Sequence, residues 1–152
     1  MCHLRPMNAY EFEHYMKTAV HEYAAELTKS GSCAEEDSLK QAQESYSYLL
    51  ADGIKTKGQF LFHVINSTDA IIGMIWYGLR PNGEGFIYDF SISEAFRSMG
   101  YGTKTMELIE AEAKKNGIKR LGLRVFEHNS NAIALYKKMG YGIYSLNMSK
   151  EI

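Results

Sequence analysis

A change of period at residue 59 constrains this chain more than any other feature. Before it, Phe12, Met16, Ala19, Val20, Tyr23 and Leu27 recur at helical spacing. Leu39, Ala42, Tyr46, Leu49 and Leu50 do so again, on a second helix over about residues 35–50. Asn8 and Glu11, three positions apart, resemble a capping box at the start of the first helix. Ser30-Gly31-Ser32 separates the helices and Asp52-Gly53 ends the second. From Phe60 onward the pattern is of short β-type runs, 60–65, 70–77 and 84–93. They are joined by Ser67-Thr68-Asp69 and by Pro81-Asn82-Gly83, which is hairpin chemistry. Joints this short connect antiparallel neighbours only, so residues 59–93 read as a meander.

The chain then alternates. A helix from about Gly102 to Lys115 closes on Asn116-Gly117, good C-terminal signals. Leu121, Leu123 and Val125 alternate as a strand. Ala132, Leu135, Tyr136 and Met139 mark a short helix that Gly140 stops. Residues 142–148 read as a last strand and residues 2–7 as a first. The expected order is β-α-α-β-β-β-α-β-α-β, an α/β (α+β) fold with a mixed, largely antiparallel central sheet flanked by helices. With no repeat, low-complexity tract or linker, residues 1–152 read as a single domain. A chain of that length buries roughly 68–70% of its unfolded surface, enough for a core without staples.

Composition narrows the function. A net charge of -1 lacks the basic excess that phosphate backbones demand, so no nucleic-acid partner is expected. The most apolar run, 70–79, is too short for a membrane helix, which needs about 20 residues, and no membrane association is expected. Residues 1–6 lack a signal peptide's apolar stretch, making the cytoplasm the default location. Cys2 and Cys33 read as free thiols. His3, His14, His21, His63 and His128 have no metal-ligand spacing, and no metal is expected.

Arg97-Ser98-Met99-Gly100-Tyr101-Gly102 lies between the fourth strand and the third helix. Glycines there take φ > 0 and leave the backbone uncovered. Successive N–H groups then line one concavity, and the following helix adds its own unpaired N–H groups and positive dipole end. Arg97 adds a planar cationic fork. This is anion-site chemistry, although G-x-G alone is also compatible with a plain strand-to-helix turn. A dinucleotide reading needs a third glycine where Thr105 stands.

With these residues in view, the chain resembles the GNAT superfamily of acetyl-CoA-dependent N-acetyltransferases. The turn matches the motif Q/R-x-x-G-x-G/A and follows the strand Ile87-Tyr88-Asp89-Phe90-Ser91-Ile92. A second motif, N-x-x-A-x-x-L-Y-x-x-x-G-F/Y, is matched by Asn129-Ser130-Asn131-Ala132-Ile133-Ala134-Leu135-Tyr136-Lys137-Lys138-Met139-Gly140-Tyr141. The element order also matches, so the resemblance covers nearly the whole chain.

The resemblance implies roles. Backbone N–H groups across Ser98, Met99, Gly100, Tyr101, Gly102 and Thr103, with Arg97, would hold the pyrophosphate of acetyl-CoA. Main-chain groups of Ser91 and Ile92 would pair with the pantetheine arm. Asn129 and Asn131 would hydrogen-bond the cofactor, although Asn129 is equally the expected N-cap of its helix. Tyr136 would stand near the sulfur as general acid, although it also lies on its helix's apolar stripe. Many family members carry a Glu base on the fourth strand. Here Tyr88 takes that place with Asp89 beside it, and alternation turns only one of the two to the site unless a bulge intervenes. Asp89 is the candidate base; Glu84, His63, His128 and a solvent water are weaker ones.

The resemblance implies an amine acceptor, of a small molecule or a protein, without fixing which. Glu35, Glu36 and Asp37 near the first inter-helix loop either favour a cationic amine such as a polyamine or simply complement a helix dipole. Family analogy suggests a homodimer, with 141–144 pairing edges. Two other functions compete: a non-catalytic acyl-CoA-binding sensor, and a dinucleotide-dependent oxidoreductase, which Thr105 and the meander disfavour.

Overall fold

The computed structural model describes all of residues 1–152. The elements run β1 (Cys2–Pro6), α1 (Ala9–Lys29), α2 (Glu35–Leu49), β2 (Gln59–Asn66), β3 (Ile71–Leu79), β4 (Gly85–Ile92), α3 (Tyr101–Lys115), β5 (Leu121–Leu123) and α4 (Ser130–Lys138). Short 3-10 turns lie at Gly53–Lys55 and Glu94–Phe96. The strands form one sheet in chain order; β1 through β4 are antiparallel and β5 is parallel to β4. This is the expected mixed, mostly antiparallel α+β fold. No helix is long and apolar enough to cross a membrane.

Two compact units divide the chain: Met1–Tyr15 with Leu50–Arg124, and Met16–Leu49 with Val125–Ile152. In the first, the capping box forms as expected. Glu11 N–H donates to Asn8 Oδ1 at 2.8 Å and Asn8 N–H to Glu11 Oε1 at 3.1 Å, satisfying two helix-end donors at once. Met7 N–H donates to Leu61 O at 3.0 Å and fixes the entry to α1 against β2. The turn after β2 is built on Asn66, whose Oδ1 accepts from Thr68 and Ala70 N–H, both at 3.0 Å. The β3–β4 hairpin closes with Arg80 N–H on Glu84 O at 2.8 Å.

α3 lies against β1 and β4, and its buried residues Met106, Ile109 and Ala113 recur at helical spacing. Each large aliphatic side chain buried this way contributes about 1.5–3 kcal/mol. Tyr77 belongs to this face of the sheet: Phe60 and Phe62 stack on its ring, and Asn116 Nδ2 donates to its hydroxyl at 2.8 Å. Trp76, its neighbour, points the opposite way by the strand's period of two.

The second unit packs Ala24 and Leu27 of α1 with Ala42 of α2, and Val20, Tyr23, Cys33 and Phe126 close around them. The Thr28 and Ser38 hydroxyls meet at 2.7 Å between the two helices, so neither is left unpaired there.

Two expectations are corrected. No strand forms over 142–148: residues 141–152 have no regular structure, and Leu146 and Met148 are 76% and 92% exposed. Alternation describes one strand's faces, but a strand exists only as part of a ladder, and the sheet ends at β5. β5 itself stops at Leu123, short of Val125, where its pairing with β4 ends.

Candidate active site

The turn between β4 and α3 has the backbone of an anion cradle. Ser98 (φ 61) and Gly100 (φ 85, ψ 0) are both left-handed, with Met99 between them. That alternation turns successive N–H groups toward one side. Gly100 is the N-cap of α3 and lends no side-chain cap. Lys104 N–H donates to Gly100 O at 3.1 Å, so the N–H groups of Tyr101, Gly102 and Thr103 precede the first donor of the helix's own ladder. Ser98, Met99 and Gly100 are exposed. Backbone donors, a helix N-terminus and open access fit a pyrophosphate.

Arg97 does more than supply charge. Its Nε donates to Ile92 O at 2.8 Å, bracing the turn against the end of β4. There the strand edge changes. The parallel ladder with β5 covers Gly85–Ile87, while β4 continues to Ile92. On the other edge Ser91 and Ile92 stay paired with Met74 and Gly73. Gly73 is required by that pairing, because a Cβ on it would lie 2.3 Å from Ser91 O.

The centre of β4 carries the bulge that alternation leaves undetermined. Trp76 pairs with Asp89 and Tyr77 with Ile87, so Tyr88 is the extra residue. Tyr88 stacks on Trp76 at 4.8 Å and on Phe86 at 4.9 Å. Asp89 lies directly opposite Trp76, so Tyr88 and Asp89 share the Trp76 face. The Tyr15 hydroxyl of α1 donates to Asp89 Oδ2 at 2.6 Å. Two of the weaker base candidates, His63 and Glu84, lie in this unit and the third, His128, in the second. His63, its side chain 15% exposed, is 3.5 Å from Glu11, and burial lowers its pKa although Glu11 opposes the shift. Glu84 is in the hairpin, 3.8 Å from Arg120.

The second motif lies in the second unit. Asn129 is the N-cap of α4, and Ile133 N–H donates to its carbonyl at 3.0 Å. Its side chain makes no cap bond; Nδ2 donates instead to Glu26 Oε2 at 3.3 Å. The same oxygen is 2.6 Å from His128 Nε2, and the His128 ring stacks on Phe126. Asn131 is exposed on α4. Tyr136 is half-buried, its ring edge-on to Tyr141 at 6.0 Å. No group of three His, Cys, Asp or Glu is placed to hold a metal ion.

Sequence reasoning named the turn, the second motif and Asp89 and left a bulge beside Asp89 open, but missed Tyr15, Gly73 and Glu26. Tyr15 is 74 positions from Asp89 and Glu26 is 103 from Asn129, so no local spacing signals either pair.

The parallel ladder thus leaves β4 past Ile87 beside the left-handed turn, and comparison with known proteins gives the class. Residues 15–141 match the model of the acetyltransferase (GNAT) family. The Bacillus subtilis protein YdgE, named an uncharacterised N-acetyltransferase, is 30% identical over 152 residues, spanning 98% of this chain and 97% of its own. YycN of B. subtilis, named likewise, is 32% identical over 152 residues, with the same coverage. The crystal structure of YycN matches at a TM-score of 0.94 and 31% identity, covering 100% of this chain and 99% of that one. Spermine/spermidine N(1)-acetyltransferase of B. subtilis is 34% identical over 79 residues, 47% of this chain and 52% of that protein. The chain belongs to the GNAT acetyltransferase family, and it is an acyltransferase by class.

Proposed function

We propose that this protein transfers the acetyl group of acetyl-CoA to a primary amine by direct attack in a ternary complex. The observation that carries the reading is the pair of left-handed residues Ser98 and Gly100 opening onto the N-terminus of α3. The N–H groups from Ser98 to Thr103 hold the pyrophosphate, Arg97 supports them, and main-chain groups of Ser91 and Ile92 pair with the pantetheine arm. Asn129 and Asn131 contribute side-chain hydrogen bonds.

Holding amine and thioester together supplies much of the rate, without a covalent enzyme intermediate. Asp89 takes the proton that the attacking amine loses. A backbone N–H of β4 meets the oxyanion. The Tyr136 hydroxyl protonates the departing thiolate, a task suited to a phenol of ordinary pKa near 10. The products are an N-acetyl amine and CoA thiol. The protein works in the cytoplasm, where Cys2 and Cys33, both free in the structure, stay reduced.

The acceptor to screen first is a polyamine. Half of the chain matches a spermine/spermidine acetyltransferase, and Glu35, Glu36 and Asp37 fill the first turn of α2. Those acids also complement the helix dipole. Neutralising all three leaves KM unchanged if the dipole is their only role and raises it if they hold a cation.

The test is release of free thiol from acetyl-CoA across an amine panel. Amine-dependent release is expected, with Tyr136→Phe cutting turnover while acetyl-CoA still binds. Tight acetyl-CoA binding without turnover on any amine would mean a sensor module instead.

A further inference from the structure

Tyr15 sits where two independent features of the chain converge. The first is α1. Its entry is fixed by Met7 on Leu61 O and by the Asn8–Glu11 capping box, and Glu11 is tied in turn to Arg5 and His63. Tyr15 follows Glu11 by four positions, so both side chains lie on one helical face. The second is the bulge. With regular alternation after Ile87, Asp89 would share the face of Ile87 and Tyr77, where Asn116 at the end of α3 bonds the Tyr77 hydroxyl. The extra residue Tyr88 moves Asp89 to the Trp76 face, where the Tyr15 hydroxyl meets its carboxylate at 2.6 Å. Trp76 is itself held, since its indole N–H donates to Gln59 Oε1 at 2.8 Å.

We infer that Tyr15 is the positioning residue for Asp89 in deprotonation of the acceptor amine. The inference rests on the reading of Asp89 as general base. An O–H donor at this distance from a carboxylate oxygen is in the charge-assisted range. It fixes the rotation of the carboxylate and favours its charged form, the form that accepts a proton. The titratable and charged groups on the elements that carry this pair include Tyr88, next to Asp89 on β4, and Glu11, one helical turn before Tyr15, with Arg5 and His63 beside Glu11. Tyr15 itself neither gains nor loses a proton in the reaction; the amine proton goes to Asp89 and from there to solvent.

The experiment is the pH dependence of kcat/KM for the amine, at saturating acetyl-CoA, in the unmodified protein, Tyr15→Phe, Asp89→Asn and the double variant. Phenylalanine keeps the ring, so the half-buried packing of residue 15 is retained. Asp89→Asn is expected to remove the acid limb and about 10²–10⁴ of the rate. Tyr15→Phe is expected to shift the acid limb to higher pH by on the order of one unit, leaving KM for acetyl-CoA unchanged. In the Asp89→Asn background it adds no further loss, because the two act as one unit. An acid limb that moves in neither single variant means that Asp89 is not the base, and the inference falls with that reading. A limb removed by Asp89→Asn but unmoved by Tyr15→Phe overturns the inference alone. So does an equal loss from Tyr15→Phe in both backgrounds.

Discussion

The Asn129 carboxamide turns away from its own helix and donates to Glu26 Oε2 at 3.3 Å. An asparagine at an N-cap ordinarily caps with its side chain. Here the cap is made by the backbone alone, and the side chain ties the start of α4 to α1, alongside His128 on the same carboxylate oxygen. Glu26 therefore sets the orientation of a residue in the second family motif.

Glu26→Ala should loosen that orientation without touching the cradle between β4 and α3. Partly exposed hydrogen bonds of this kind are worth about 1 kcal/mol. The expected outcome is a roughly 3- to 10-fold rise in the Kd for acetyl-CoA, read by calorimetry. Added to Asn129→Ala, the change should have little further effect. Full additivity would separate Glu26 from the motif.

Ser98 and Gly100 share a left-handed backbone, but only glycine adopts it without strain. Ser98→Gly is expected to stabilise the fold by up to about 1 kcal/mol and to leave acetyl-CoA binding intact. Gly100→Ala is expected to cost about 1–2 kcal/mol. The cost comes from φ and not from crowding, since the Met1 side chain would sit 3.6 Å from the new Cβ, an ordinary contact. Chemical denaturation of both variants gives the signs.

How much of this was legible beforehand depended on range. The capping box at Asn8 and Glu11, the Pro81–Gly83 hairpin and the turn at Gly100 are local chemistry, and each appears where the residues imply. The bulge at Tyr88 is different. It depends on how β4 registers against Trp76 and Tyr77, and no alternation within β4 encodes that. Tyr15 and Glu26 acquire meaning only through partners far along the chain. The strand expected over 142–148 fails for a related reason, because its alternating residues state a preference while a ladder supplies the stability.

Gly73 is a further case, invisible as a glycine in a strand until its neighbour is seen. Gly73→Ala drives a Cβ into Ser91 O, a backbone atom that cannot rotate aside. The expected loss is about 1–3 kcal/mol of stability, with KM for acetyl-CoA raised because the end of β4 is displaced. Denaturant titration with steady-state kinetics checks both.

His63 makes folding stability depend on pH. Burial lowers its folded pKa below the ordinary 6.5, with Glu11 only partly opposing the shift. Between the two values the unfolded chain binds a proton that the folded chain refuses. The contribution is therefore complete above about pH 6.5 and declines as pH falls toward the lowered folded value. Denaturant midpoints at about pH 5.5 and about pH 7.5 should differ less in His63→Gln than in the unmodified protein. An unchanged difference would place the acid sensitivity elsewhere.

The most direct test of the account is thermal unfolding with acetyl-CoA, with CoA and with NADH, each at about 100 times its expected Kd. Binding to the native state at that excess adds about 2.7 kcal/mol. For a domain of this size that is a rise in Tm of several degrees, on the order of 2–4 °C per kcal/mol. The account predicts the rise with acetyl-CoA and CoA and none with NADH. No rise with either CoA species, or a rise with NADH alone, would contradict it and leave the turn at Ser98 and Gly100 as plain structure.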